Sequence, residues 1–156
     1  MNNQELLAEE QLVVFEIAGE CYGVEIERVQ EIDRLQPITV VPQVPSFIQG
    51  IINLRGRVTP VVDLRKRLGL PNVQETPRTR IVVVKAEQEW VGLIVDAVSE
   101  VLRISRDCVE PPSSMVVSTE AAFVRGIAKL EERLIILLDL ERVLNKDFQL
   151  TVYAAG

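Results

Sequence analysis

Two aspartates, Asp63 and Asp139, close equivalent aliphatic stretches of the chain, and carboxylates brought together in pairs can carry acid–base chemistry. Each, however, stands where an apolar run ends and a helical spacing begins. There an aspartate accepts the first unpaired N–H groups of a helix. Neither is followed by Thr-Gly, as an aspartic-protease loop would be. Asp96, at the head of DAVSEV, suits the same capping role. The three acids are therefore read as helix caps, with an aspartate-based hydrolase as the competing reading. Other catalytic routes are closed more firmly. The chain has no histidine, so a His-assisted Ser or Cys nucleophile is excluded. Ser113 and Ser114 lie in a Pro-rich stretch with no base nearby in sequence, and the eight glycines are scattered rather than gathered into a phosphate loop. Cys21 and Cys108 are far apart and form no CxxC, so no metal site and no cofactor is expected. Two buried free thiols are the simplest reading, with one disulfide left open. The sequence points away from an enzyme.

A different residue type draws attention in a repeated segment. GIINLRGRVTPVVDL, residues 50–64, returns as GIAKLEERLIILLDL, residues 126–140, with the apolar frame kept at an offset of 76. Only the first copy carries Arg55-Gly56 at its centre; the second has Glu131-Glu132. Gly56 is explained by a tight hairpin tip, where positive φ is needed. A turn needs no guanidinium. Arg55 is either a solvated tip charge or a planar donor fork offered from a rigid hairpin to a partner's carboxylate or backbone.

The elements that would position these residues are themselves duplicated. GVEIERVQEI, residues 23–32, aligns with GLIVDAVSEV, residues 92–101, at an offset of 69, placing Glu31 on Glu100. Two blocks in the same order, with glycines and acids in register, mark an internal repeat. Each copy reads as two strands (12–17 and 21–26; 80–85 and 90–95), then a short helix on which Ile26, Val29 and Ile32 would stack. A hairpin follows (51–54 with 57–62; 127–130 with 134–138), leading through Asp-Leu into a helical turn that Gly69 and Pro71 stop in the first copy and Asn145 in the second. Val29, Glu31 and Ile32 would form an apolar and acidic face on the first short helix. In VPQVPSFIQG, residues 41–50, Phe47 either anchors a partner or fills the gap between the copies.

Hydrophobic residues make up 47% of the 156, but aromatics only 4%, so Val, Ile and Leu must build the core and favour strands. The expected fold is mostly β: two similar five-stranded barrels of the SH3 or OB kind, packed on a shared aliphatic core, with short helices. Residues 1–10 read as a flexible tail and 11–150 as one domain of two lobes, about 11–70 and 79–150, joined by 71–78. Whether the lobes exchange a strand is left open. Residues 110–120 read as an inserted loop, and 151–156 as a C-terminal tail. The net charge of −6 and the absence of a basic stripe disfavour nucleic acid and anionic membranes. An acidic N-terminus and the lack of a long apolar run suggest no signal peptide and no direct membrane insertion, hence a cytoplasmic location.

The strings VQEI, VPQVPSFIQGIINLRGRVTPVVDL, VGLIVDAVSEVL and VRGIAKLEERLIILLDLERVL together resemble the CheW family of bacterial chemotaxis coupling proteins. The resemblance runs from about Gln11 to about Asn145, and P-x-F-I-x-G-I-x-N-L-R-G is its most specific element. It implies a non-catalytic adaptor linking the cytoplasmic tips of transmembrane chemoreceptors (methyl-accepting chemotaxis proteins) to the regulatory domain of the histidine kinase CheA. A coupling protein of another chemosensory pathway, such as pilus motility, would resemble the same family. By that resemblance Val29, Glu31, Gly50, Asn53, Arg55 and Gly56 fall in the partner-binding region.

Overall fold

The computed structural model describes residues 9–112 and 123–144. The expected loop over 110–120 lies largely outside the described residues, as do Ser113, Ser114, Asn145, most of the N-terminal tail and the whole C-terminal one. Eleven strands, β1 (Glu9–Ile17), β2 (Glu20–Glu25), β3 (Val29–Arg34), β4 (Ile48–Leu54), β5 (Arg57–Asp63), β6 (Arg80–Ala86), β7 (Glu89–Val95), β8 (Ala97–Ser105), β9 (Val109–Glu110), β10 (Val124–Leu130) and β11 (Arg133–Leu138), are joined by two short helices, α1 (Leu64–Arg67) and α2 (Leu140–Val143). Glu9 and Glu10, expected in the tail, instead begin β1, where Arg125 holds Glu10 at 2.6 Å.

The strands form two sheets, β8-β1-β2-β11-β10-β9 and β3-β6-β7-β5-β4. Each therefore takes its first two hairpin strands from one sequence copy and the rest from the other. The lobes do not follow the boundaries expected near residues 70 and 79, and strand exchange is the arrangement adopted. The exchange rests on β11 running parallel to β2, and β5 parallel to β7, pairings that no short turn can make.

Alternating side chains explain why the strands read as unbroken apolar runs. Leu12 and Val14 point into the interior of the first sheet, beside Ile104, Ala128, Ile135 and Leu137. Val13, Phe15 and Ile17, one step out of phase, face the other sheet. In β6, Ile81 and Val83 line the interior of the second sheet, whereas Val82, Val84 and Ala86 face the seam. Strands buried on both faces cannot alternate with polar residues. Both sheets curl around their own small cores, and a larger third core joins them. Each fully buried Val, Leu or Ile contributes about 1.5–3 kcal/mol, so the seam is the main source of cohesion.

Two expected short helices are absent. Ile26–Arg28 forms a single 3-10 turn, and Val29, Glu31 and Ile32 belong to β3, paired antiparallel with β6. Likewise DAVSEV is not helical: residues 97–105 form β8 against β1. The three-residue spacing of Ile26, Val29 and Ile32 misleads, because burial along β3 alternates strictly with period two. The open edge of β6 supplies a full ladder of hydrogen bonds, which a one-turn helix cannot match.

Candidate partner-binding surface

The β4–β5 hairpin carries the singled-out arginine. Arg55 and Gly56 adopt φ of 55° and 82°, the two positive values that a two-residue hairpin turn of matching twist requires. Asn53 holds the tip by accepting the Gly56 N–H at Oδ1, 2.8 Å away. Gly50 serves the base of the hairpin. Its φ is +152°, and an added Cβ would lie 2.1 Å from the Thr39 carbonyl oxygen, where Thr39 and Ile51 exchange hydrogen bonds. Asn53, Gly56 and Gly50 thus have clear structural duties, leaving Arg55 as the projecting group. Its side chain is 78% exposed, with Nε 3.3 Å from a Glu31 carboxylate oxygen.

Glu31 reaches Arg55 from β3, past a register shift between Val29 and Glu31 in the pairing with β6. Because burial follows period two, Val29, Glu31 and Asp33 are half-buried while Ile32 faces outward, 40% exposed. Val29 packs against the seam core. A hydrogen bond with Asp33, then partial burial and the Asp33 charge, raise the Glu31 carboxyl above its usual range, with Arg55 pulling the other way. Asp33 Oδ2 beside it is buried without a hydrogen-bond partner.

The second lobe repeats the frame with other contacts. Glu100, in the place of Glu31, bonds Arg133 Nη2 at 3.0 Å, and the same nitrogen lies 3.9 Å from Cys21 Sγ. Arg133 corresponds to Arg57, which in the first lobe lies over the Trp90 ring, 4.2 Å from its centroid. The tip itself turns at Glu131, φ 48°.

Asp63 and Asp139 are helix caps as expected. Asp63 Oδ1 accepts the Arg65 and Lys66 N–H groups at 3.1 and 3.4 Å, and Asp139 Oδ1 accepts that of Arg142 at 3.3 Å. They line different clefts, about 250 Å³ beside Arg65 and Asp96 and about 160 Å³ beside Arg28 and Arg125, so they do not form an acid–base pair. Asp96 caps no helix. It receives Arg65 Nε and Nη2 at 2.9 and 2.6 Å and the Ala18 N–H at 2.9 Å, tying α1 to the β1–β2 turn of the other sheet. These bonds, Arg65 foremost, hold its carboxyl below the usual range despite partial burial. Cys21 and Cys108 are free thiols, half-buried rather than buried. Among the described residues no cluster of three metal-binding side chains occurs, and no helix is long and apolar enough to cross a membrane.

Sequence reading overlooked Arg67. Phe47 and Phe123, 76 positions apart, sandwich its guanidinium at 4.4 and 4.6 Å, while Nε donates to the Val143 carbonyl at 2.9 Å. Arg67 matches Val143 at the repeat offset, so this contact marks the pseudo-twofold centre of the molecule. Half-buried Phe47 fills the gap between lobes. The available signal was the shared offset of the two phenylalanines.

A duplicated, strand-exchanged β protein with its charged asymmetry at a hairpin tip is a scaffold in form, with no paired reactive groups among its described residues. Residues 11–148 match the CheW-like domain, and the chain belongs to that family. It is 37% identical over 143 residues to the chemotaxis protein CheW of Bacillus subtilis, covering 92% of each chain. To the CheW of Klebsiella aerogenes it is 33% identical over 138 residues, covering 88% of this chain and 83% of that one. The crystal structure of the scaffolding protein TtCheW from Thermoanaerobacter tengcongensis superposes with a TM-score of 0.81 at 41% identity, covering 89% and 90% of the two chains.

Proposed function

We propose that the protein is a non-catalytic adaptor of chemotaxis that couples the cytoplasmic tips of transmembrane chemoreceptors to the regulatory domain of the kinase CheA. It would act in the cytoplasm, recruited to receptor arrays at the membrane. Family membership and the chemotaxis and scaffolding names of its relatives support this reading. The observation that carries it is the Arg55–Glu31 pair, an exposed guanidinium held 3.3 Å from a half-buried carboxylate on a stapled hairpin. A rigid donor fork beside apolar Val29 and Ile32 suits recognition of another protein's surface. Asn53, Gly56 and Gly50 shape that surface, and arrays strengthen modest single contacts by linking many of them.

The test is co-sedimentation and titration with a receptor signalling fragment and the kinase regulatory domain. Wild type binds at micromolar concentration and raises kinase activity. Arg55→Glu weakens binding about tenfold or more while the melting temperature moves little, since exposed pairs contribute about 0–1 kcal/mol. Failure of the wild type to bind either partner would falsify the proposal.

A further inference from the structure

The two lobes hold the same four positions in the same register but connect them differently. Glu31 pairs with Val83 across β3 and β6, and Glu100 with Val14 across β8 and β1, one repeat offset apart. Val61 pairs with Gly92, and Leu137 with Gly23, in the parallel ladders that seat Arg57 beside Trp90 and Arg133 beside Cys21. With backbone frames matched, the glutamate's partner should be the same arginine in both lobes. In the second lobe it is: Arg133 bonds Glu100 at 3.0 Å. In the first lobe the corresponding Arg57 lies over the Trp90 ring instead, and Glu31 is left to Arg55 at the tip, 3.3 Å away.

The difference follows from what lies beneath each arginine. A Trp face attracts a guanidinium by its quadrupole and by stacking, with a strength comparable to an exposed ion pair. A thiol offers only a weak acceptor, so Arg133 turns to the carboxylate. We infer that Trp90 is a positioning residue: by holding Arg57 on its ring, it reserves Glu31 for Arg55 and so determines which guanidinium the first lobe presents. Its consequence for partner recognition rests on the adaptor reading above; the placement itself does not.

The experiment uses the full chain. Carboxyl-detected NMR follows the Glu31 titration in wild type and in Trp90→Cys, each combined with Arg55→Ala or Arg57→Ala. Asp33 remains in every variant, so differences isolate the arginines. In wild type, Arg55→Ala moves the Glu31 midpoint up and Arg57→Ala leaves it in place. In Trp90→Cys the two arginines exchange roles. Trp90→Phe, which keeps a π face, retains the wild-type order. Trp90 is the only tryptophan, so its emission offers a second reading without replacing it. Arg57→Ala should shift that emission, and Arg55→Ala should not. An unchanged order of arginine effects in Trp90→Cys, or an emission blind to Arg57, overturns the inference. Titration with the receptor fragment separates the two ideas. Trp90→Cys weakens binding, and Trp90→Phe restores it. If Arg55→Ala binds like wild type while the exchange of roles persists, the partner reading of Arg55 is overturned and the positioning role of Trp90 stands.

Discussion

The two hairpin tips share a frame and an exposed arginine, Arg57 in one and Arg133 in the other, yet differ in their remaining exposed charges. Around 53–58 an Asn staple, an αL arginine and a glycine turn the chain, and Trp90 takes up the neighbouring Arg57. Around 129–134 the tip holds Glu131-Glu132, and Arg133 folds back on Glu100. Their hydrophobic exposure is alike: Val58 is 71% and Leu134 60% exposed at matching positions. Duplication preserved the strand pairing and the apolar shell, and the divergence lies in the turn conformation, in the charges each tip projects and in what lies beneath its arginine. The conserved frame serves stability, and the altered charges are where function can differ between lobes.

The largest effect should separate the hairpin bases. At Gly50 a methyl would meet backbone oxygen at 2.1 Å with φ at +152°; at Gly126 it would meet the Val109 Cγ1 at 2.8 Å and the Glu110 oxygen at 3.0 Å, with no unusual φ. Gly50→Ala should lower stability by about 3 kcal/mol or more in urea denaturation, and Gly126→Ala by about 1–2 kcal/mol. Equal losses would mean that the two bases are not strained differently.

Next come the ties between lobes, which have opposite polarity. Arg65 meets Asp96 on one side of the pseudo-axis, and on the other Glu141, which matches Arg65 in the repeat, meets Arg28 at 2.8 Å. The first tie is the better buried and is doubly bonded. Asp96→Ala should therefore lose about 2 kcal/mol, and Glu141→Ala less than about 0.5 kcal/mol. The Asp96 carboxyl is held below its unfolded value of about 3.9, so its contribution is present above that pH and disappears as pH falls further. Asp96→Asn should flatten the acid limb of a stability profile below about pH 4 and leave its shape near neutrality unchanged. A profile parallel to wild type throughout would remove Asp96 from the acid response.

The caps differ more gently. Asp63 is buried and accepts two N–H groups, whereas Asp139 is half-exposed and accepts one. Asp63→Ala should cost about 1.5 kcal/mol and Asp139→Ala about 0.5–1 kcal/mol by thermal melting.

Much of this comparison could be read from the chain. The twin hairpins, the tip at Arg55-Gly56 and the caps at Asp63 and Asp139 follow from local rules: a turn needs positive φ, and a helix start needs an acceptor. The mostly β, two-lobed fold follows from the aliphatic composition and the repeat. What failed was non-local. Where helices were expected over 26–32 and after Asp96, a single 3-10 turn leads into β3 and Asp96 leads into β8, because the open edges of β6 and β1 outweigh the spacing of three apolar residues. Asp96 reads locally as a cap, yet its partners Arg65 and Ala18 are distant in sequence. The exchange of strands between lobes leaves no local trace, since parallel pairing of β5 with β7 depends on the whole chain. Glu31 and Arg55 were each singled out, but only the closure of the sheet brings them to 3.3 Å.

The smallest expected effect tests the glutamates at the heart of the comparison. Hydrogen bonding with Asp33 raises the Glu31 carboxyl, so the folded state disfavours its charge. Its favourable contribution is complete below the unfolded value of about 4.3 and fades as pH rises through the folded one. At neutral pH Glu31→Gln removes that disfavoured charge and can still donate to Asp33, so the melting temperature should rise by about 1 °C. Glu100 has only its exposed pairing with Arg133 to lose, so Glu100→Gln should lower it by a similar amount. At pH 4 the Glu31→Gln gain should vanish, because the wild-type carboxyl is then largely protonated. Opposite signs at neutrality that converge in acid would show that the acidic pair in the first lobe is held under electrostatic tension absent from its counterpart. Like signs would make the two glutamates equivalent surface charges, and the asymmetry would then reside in the arginines alone.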